Sequence, residues 1–159
     1  MLLYIIDGFN LVHKIPSVKT SEIPQFELIQ YIKKNKLSGS ARNNVVIVYD
    51  GMPQASVSGE REFQIIFSQE VSADELIKQR IDKIKNHRYC PISEVVVVSD
   101  DREIREHAIK SGAVSLRTMD FLKIKKESPK DDRKEEDKDI SFPLQKEITD
   151  ELRKIWLKE

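Results

Sequence analysis

The chain has one cysteine, no net charge and no long apolar run, and each shortage closes off a class of protein. A lone thiol, Cys90, excludes an internal disulfide framework and a zinc site built from several thiolates. Beside Pro91 and just ahead of an apolar run, it reads as a small core filler. With 27 basic residues against 27 acidic ones, no overall field draws in a polyanion, so any nucleic acid must be held by local patches. No stretch reaches the ~20 apolar residues that a membrane helix needs. The opening "MLLYIIDGFN" carries no basic flank and no small-residue cleavage site, which sets aside a signal peptide and makes the cytoplasm the expected location. No G-x-G-x-x-G follows an apolar run, so dinucleotide binding has no support.

What is present is an alternation of apolar runs with helical periodicities, in 159 residues that suit one domain with a sizeable core. "LLYII", "NVVIVY" and "VVVV" are continuous runs, the pattern of strands covered on both faces. "EFQIIFS" alternates only in part and suits an edge strand, and "AVSLRT" suits a short fifth strand. Between them, a helix from Pro24 through "QFELIQYIKKNKL" would turn Phe26, Ile29, Ile32 and Leu37 inward. "SADELIKQRIDKIKNH" opens with Ser72 and Glu75 at capping-box spacing and has Leu76, Ile77, Ile81 and Ile84 for its apolar face. "DREIREHAIKSG" predicts a helix stopped at Gly112, and "MDFLKIKKE" a short one. The pattern predicts an α/β fold: a mostly parallel sheet of about five strands between layers of helices, with a helix added at the C-terminus. Residues 1–122 form the domain, 123–142 a charged solvated linker, and 143–159 an amphipathic helix. That helix, with Leu144, Ile148, Leu152, Ile155 and Trp156 on one face, docks on its own domain in the simpler reading and contacts a second copy or a ribosome in the other.

Carboxylates gather where these strands end. Asp7 follows the first run, Asp50 the second, Asp100 and Asp101 the valine run, and Asp74 falls in the first turn of the helix after the edge strand. In a parallel sheet all five share the rim where open α/β sheets bind ligands. Like charges so placed repel and raise one another's pKa, and hard divalent cations offset that repulsion with carboxylate and water ligands. Each acid also has a plainer reading. Ser72 and Glu75 complete a cap without metal, Ser99 or Asp100 can cap the following helix, and Asp7–Gly8 and Asp50–Gly51 can be turns.

The stretches "IIDGFNLV", "VIVYDG", "SADELI" and "VVVVSDDREI", in this order over roughly residues 1–120, resemble the four motif blocks of the NYN domains. The resemblance is to their YacP-like branch, within the PIN-like nuclease superfamily. It implies a metal-dependent endoribonuclease of three-layer α/β/α fold that hydrolyses RNA phosphodiesters with Mg²⁺ or Mn²⁺. By motif position Asp7 matches the first-strand acid, Asn10 the asparagine beside it, Asp74 the mid-chain acid and Asp101 the acid after the valine strand, with Ser99 as its hydroxyl. Asp100 occupies the variable middle position and ranks below Asp101 as a metal ligand. Asp50 is expected at the rim as an outer or second-site acid. Phe9 stands where the family usually has tyrosine, so any substrate contact of that hydroxyl is lost.

An RNA substrate needs a basic track to the acids. Candidates are Lys33, Lys34 and Lys36 on the first long helix, or Lys78, Arg80, Lys83, Lys85 and Arg88 on and after the second. Arg61 and Arg102 are expected nearer the rim, for phosphate contact, and Phe9 can stack a base. His13 is expected at the surface or on substrate rather than as a general base. Two other classes compete: a noncatalytic RNA- or ribosome-binding module, and a signalling receiver, since "VIVYDGMP" resembles a phosphoacceptor strand. The receiver pattern, however, lacks its acid pair after the first strand and its lysine after the fifth.

Overall fold

The structure, a computed structural model, describes residues 1–53, 61–87 and 90–124. Most of the charged linker, the whole C-terminal helix proposed for 143–159, and Arg88 lie outside the described residues. Five strands, β1 (Leu3–Asp7), β2 (Asn44–Tyr49), β3 (Phe63–Phe67), β4 (Val95–Val98) and β5 (Val114–Leu116), form one sheet in the order β3-β2-β1-β4-β5. Every pairing is parallel, with Ile5 opposite both Val46 and Val97. The weakly patterned run is indeed the edge strand β3.

Valine and isoleucine fill these strands because both faces are covered, and the period of two divides them between two cores. Tyr4, Ile6, Val45, Ile47, Val96 and Val98 face α1 (Gly8–Lys14), α2 (Pro16–Lys19), α3 (Pro24–Lys34) and α6 (Thr118–Lys123). Ile5, Val46, Val48, Val95 and Val97 face α4 (Ala73–His87) and α5 (Arg102–Ser111). The architecture is therefore three-layered α/β/α. Fully buried aliphatics such as Ile5, Ile47, Ile77 and Ile104 each contribute roughly 1.5–3 kcal/mol by leaving water.

The helix boundaries follow local chemistry. Ser72 Oγ accepts from Glu75 N at 3.1 Å to open α4, and Gly112, at φ 95°, closes α5. Two details depart from expectation. The short helices α1 and α2 fill the stretch between β1 and Pro24, each too brief to show a period. Phe26 lies exposed on α3 while Leu28, Ile29 and Ile32 face the core, because the stripe is rotated by about 50° from the expected one, Ile29 and Ile32 being common to both. Among the described residues no helix is long and apolar enough to cross a membrane.

Candidate active site

Strand order reverses between β1 and β4, both neighbours at the centre of the sheet, and at such a switch point an open α/β sheet leaves a crevice beyond its carboxyl ends. Asp7 ends β1 there and Ser99 follows β4. Strand alternation sends Asp7 to the same side as Ile5, and Ser99 to the same side as Val97, toward α4 and α5.

Asp7 is only 6% exposed. It is the N-cap of α1: its Oδ1 accepts from Asn10 N at 3.3 Å, and its Oδ2 accepts from Asn10 Nδ2 at 2.9 Å. The fully buried Ser99 hydroxyl donates to the same Oδ2 at 3.4 Å and accepts from Asn10 Nδ2 at 3.2 Å and from Asp101 N at 3.1 Å. Asp101 in turn caps α5, accepting from Ile104 N at 3.1 Å. The helix cap proposed for Ser99 or Asp100 thus falls one or two residues later. Asp50 Oδ1 accepts from Ala73 N at 2.6 Å, tying the end of β2 to the start of α4, whose first turn carries Asp74. Helix N-termini thus meet the carboxylates of Asp7, Asp50, Asp74 and Asp101, each offering a partial positive charge.

These caps reduce the repulsion among the acids without removing it. Asp7 is pushed up to about 6, chiefly by burial, against the lowering pull of the Asn10 backbone bond; the charges of Asp74 and Asp50 raise it further, and the Ser99 hydroxyl lowers it. Asp74 is also raised, by burial first and then by the charges of Asp101 and Asp50, with Lys78 opposing. Asp7, Asp50, Asp74 and Asp101 therefore act on one another as one electrostatic group.

Other candidates are placed differently. Asp100 faces Thr118: its Oδ1 accepts from Thr118 N at 3.0 Å and its Oδ2 from Thr118 Oγ1 at 2.6 Å. Arg117, the N-cap of α6, supplies no side chain, and Asp100 caps that helix instead. Both Asp100 oxygens are thus engaged by the start of α6. Arg61 precedes β3, at the amino end of a parallel sheet, a strand's length of about 16 Å from the acids, so it is not at the rim. Lys33 and Lys36 line a groove at that same far end with Glu62 and Phe63, so the first lysine track does not lead to the acids either. Arg102 opens α5 at the right level but is 88% exposed and bound to Glu106 Oε1 at 2.8 Å.

Phe9 is 44% exposed beside the rim. Its ring lies edge-on to Tyr49, 5.8 Å between centroids, and stacks with His13 at 6.4 Å. Tyr49 was not singled out by the sequence, yet it shapes the site. Its ring covers Gly8 so closely that a Cβ there would fall 2.5 Å from Cε1 and 2.6 Å from Cζ. Gly8 is thus a close-approach glycine rather than a turn, whereas Gly51, at φ 87°, is a turn. The Tyr49 hydroxyl is buried without a hydrogen-bond partner among the described residues, and burial, then the Asp7 charge, raises its pKa.

The model of one family, described as the YacP-like NYN domain, matches residues 4–158. The chain belongs to the YacP-like NYN family. That match continues through the stretches assigned above to the linker and C-terminal helix. Two solved structures of a family member resemble the chain, both of Rae1 (YacP) from Bacillus subtilis. The W164L mutant shows a TM-score of 0.59 and 20% identity over 99% of this chain and 86% of that one. The other structure shows 0.61 and 19% identity over 98% and 82%. At that identity they establish the shared fold alone. No curated protein matches the chain by sequence. The receiver alternative falls on topology, since receivers order their strands 2-1-3-4-5 and the NYN chain has 3-2-1-4-5.

Proposed function

We propose that the protein is a metal-dependent endoribonuclease. The observation that carries this reading is Asp7: a buried carboxylate at the switch point, its pKa pushed up to about 6 chiefly by burial, and kept there although the charges of Asp74 and Asp50 raise it further. A fold under no functional constraint would replace one of these acids.

The donor set fits a hard divalent cation, being made of carboxylate oxygens with no thiolate or imidazole. Among the described residues no group of three or more such side chains is placed to hold an ion together, so a bound Mg²⁺ or Mn²⁺ would take one or two carboxylates directly, with water and substrate phosphate completing its shell. Asp7, Asp74 and Asp101 would hold one or two such ions, directly or through water. A cation bound there supplies a water of lowered pKa and neutralises charge on the phosphate. The protein's own part is positioning. Asn10 and Ser99 hold the Asp7 carboxylate, the start of α5 fixes Asp101, and Asp50 anchors the start of α4 so that Asp74 faces the others. Phe9 offers a face to a nucleobase next to this site, and Arg102 can leave Glu106 for a phosphate. The cytoplasm follows as the place where such an RNA substrate is met, free or on a ribosome.

A noncatalytic RNA- or ribosome-binding module is the second reading, and the open carboxylate shell is what favours it. Incubating the wild type, Asp7→Asn and Asp101→Asn with a mixed RNA pool, with and without Mn²⁺, separates the two. Metal-dependent cutting by the wild type alone is expected. Equal cutting by all three, or none by the wild type across varied RNAs, ends the hydrolase reading.

A further inference from the structure

We propose that Lys78 takes a substrate phosphate beside the acids, and that Glu103 holds its ammonium there until the phosphate displaces it. This rests on the hydrolase reading above.

Lys78 stands four residues after Asp74 on α4 and therefore on the same helical face. Its Nζ lies 3.1 Å from Glu103 Oε2 in the first turn of α5, the helix capped by Asp101. It is the cation whose charge acts on Asp74, and Asp101 and Glu75 act on it in turn. The pair is lopsided: the Lys78 side chain is 23% exposed and that of Glu103 81%. The ammonium is thus positioned by its own packed stem, while its partner is a loosely held surface carboxylate. Exposed ion pairs contribute little, so an incoming phosphate displaces Glu103 at small cost. A polyanion approaching Asp7, Asp50, Asp74 and Asp101 needs a fixed positive charge beyond any bound cation. Arg102 is 88% exposed at its pair with Glu106 and Arg80 reaches Gln64 Oε1 at 3.3 Å, whereas Lys78 is packed and its charge acts on Asp74, so Lys78 is the cation built against the acids among these three.

A second rung supplies the control. Asp82 and His107 join α4 to α5 at 2.8 Å, with the same spacing of 25 positions as Lys78 and Glu103 but one turn farther from the site. If the rungs merely staple the helices, breaking either has the same effect.

The test is Mn²⁺-dependent cleavage and binding of a short, unstructured, fluorescein-labelled oligoribonucleotide over a salt series. The proteins are the wild type, Lys78→Ala, Lys78→Arg, Glu103→Gln and Asp82→Asn, with thermal unfolding measured for each. Lys78→Ala is expected to raise KM roughly fivefold with kcat kept, and to flatten the log–log salt slope by about one. Lys78→Arg restores both, Glu103→Gln tightens binding, and Asp82→Asn matches the wild type. Unchanged KM and salt slope in Lys78→Ala overturn the proposal, as does weakening by Glu103→Gln and Asp82→Asn equal to that of Lys78→Ala. If Lys78→Ala fails to fold, failure of Lys78→Arg to bind, or of Glu103→Gln to tighten, overturns it equally. A wild type that does not cut at all overturns the hydrolase reading, a failure visible before any variant is compared.

Discussion

The Ser99 hydroxyl donates to Asp7 Oδ2 across 92 positions of sequence, and Ser99 Oγ itself accepts from the Asp101 backbone N–H. One buried hydroxyl thus joins the ends of β1 and β4 and the start of α5, where strand order reverses. The acids are held in a common frame by groups that carry no charge.

Asp7 makes stability depend on pH in a direction opposite to that of an ordinary paired carboxylate. Its native pKa, about 6, lies above the usual 3.8, so between those values the native state binds more protons than the unfolded chain. Stability therefore falls as pH rises through this window, and the full penalty, about 3 kcal/mol, is present above it. Asp7→Asn is expected to match the wild type near pH 4, to be more stable at pH 7 and to lose RNA cleavage. Thermal unfolding of both proteins from pH 4 to 8 checks this; parallel curves would contradict it.

Removing the shared hydroxyl should loosen the frame without touching a charge. Ser99→Ala strips a partner from Asp7, Asn10 and the Asp101 N–H at a fully buried position, and is expected to cost roughly 1–3 kcal/mol. Urea unfolding reads that loss as a lowered midpoint with unchanged slope. Cleavage should fall by a larger factor than the remaining folded fraction explains, because Asp7 and Asp101 lose their common link.

The strands and the acid rim were legible because their signals are local. Valine runs that need cover on both faces report a parallel sheet directly, and an acid after such a run reports the rim. What each of the two neighbouring acids caps was not legible from the strand pattern, although the motif resemblance ranks Asp101 above Asp100 as a ligand. Asp100 and Asp101 are neighbours in sequence, yet one caps α6 and the other α5, a choice made by Thr118 eighteen positions away. Arg61 misled because its distance from the rim depends on which end of β3 it precedes. Tyr49 escaped notice because its ring acts on Gly8 through tertiary contact alone.

Asp100 and Asp101 should separate stability from chemistry. Asp100→Ala removes the acceptors of Thr118 N and Oγ1 and is expected to cost about 1 kcal/mol while Mn²⁺-dependent cleavage persists. Asp101→Asn keeps a good capping side chain for Ile104 N, so stability should change by less than about 0.5 kcal/mol, yet cleavage should be lost. Chemical denaturation and the RNA assay on both variants decide this, and loss of cleavage in Asp100→Ala with its fold intact would mark Asp100 as a ligand beside Asp101.

Gly8 is expected to tolerate no side chain while Tyr49 keeps its ring. A methyl group there would overlap Cε1 and Cζ, and overpacking of this kind costs typically about 1–3 kcal/mol. The displaced ring would also push on Phe9, its edge-on neighbour, and so on the turn of α1 that carries Asn10. Gly8→Ala should accordingly reduce both stability and cleavage. Tyr49→Leu alone opens a cavity but frees the space, so the double variant should be more stable than the sum of the two single losses implies. A double-mutant cycle in urea measures that coupling, and strict additivity would mean that the ring is not what makes glycine necessary after Asp7.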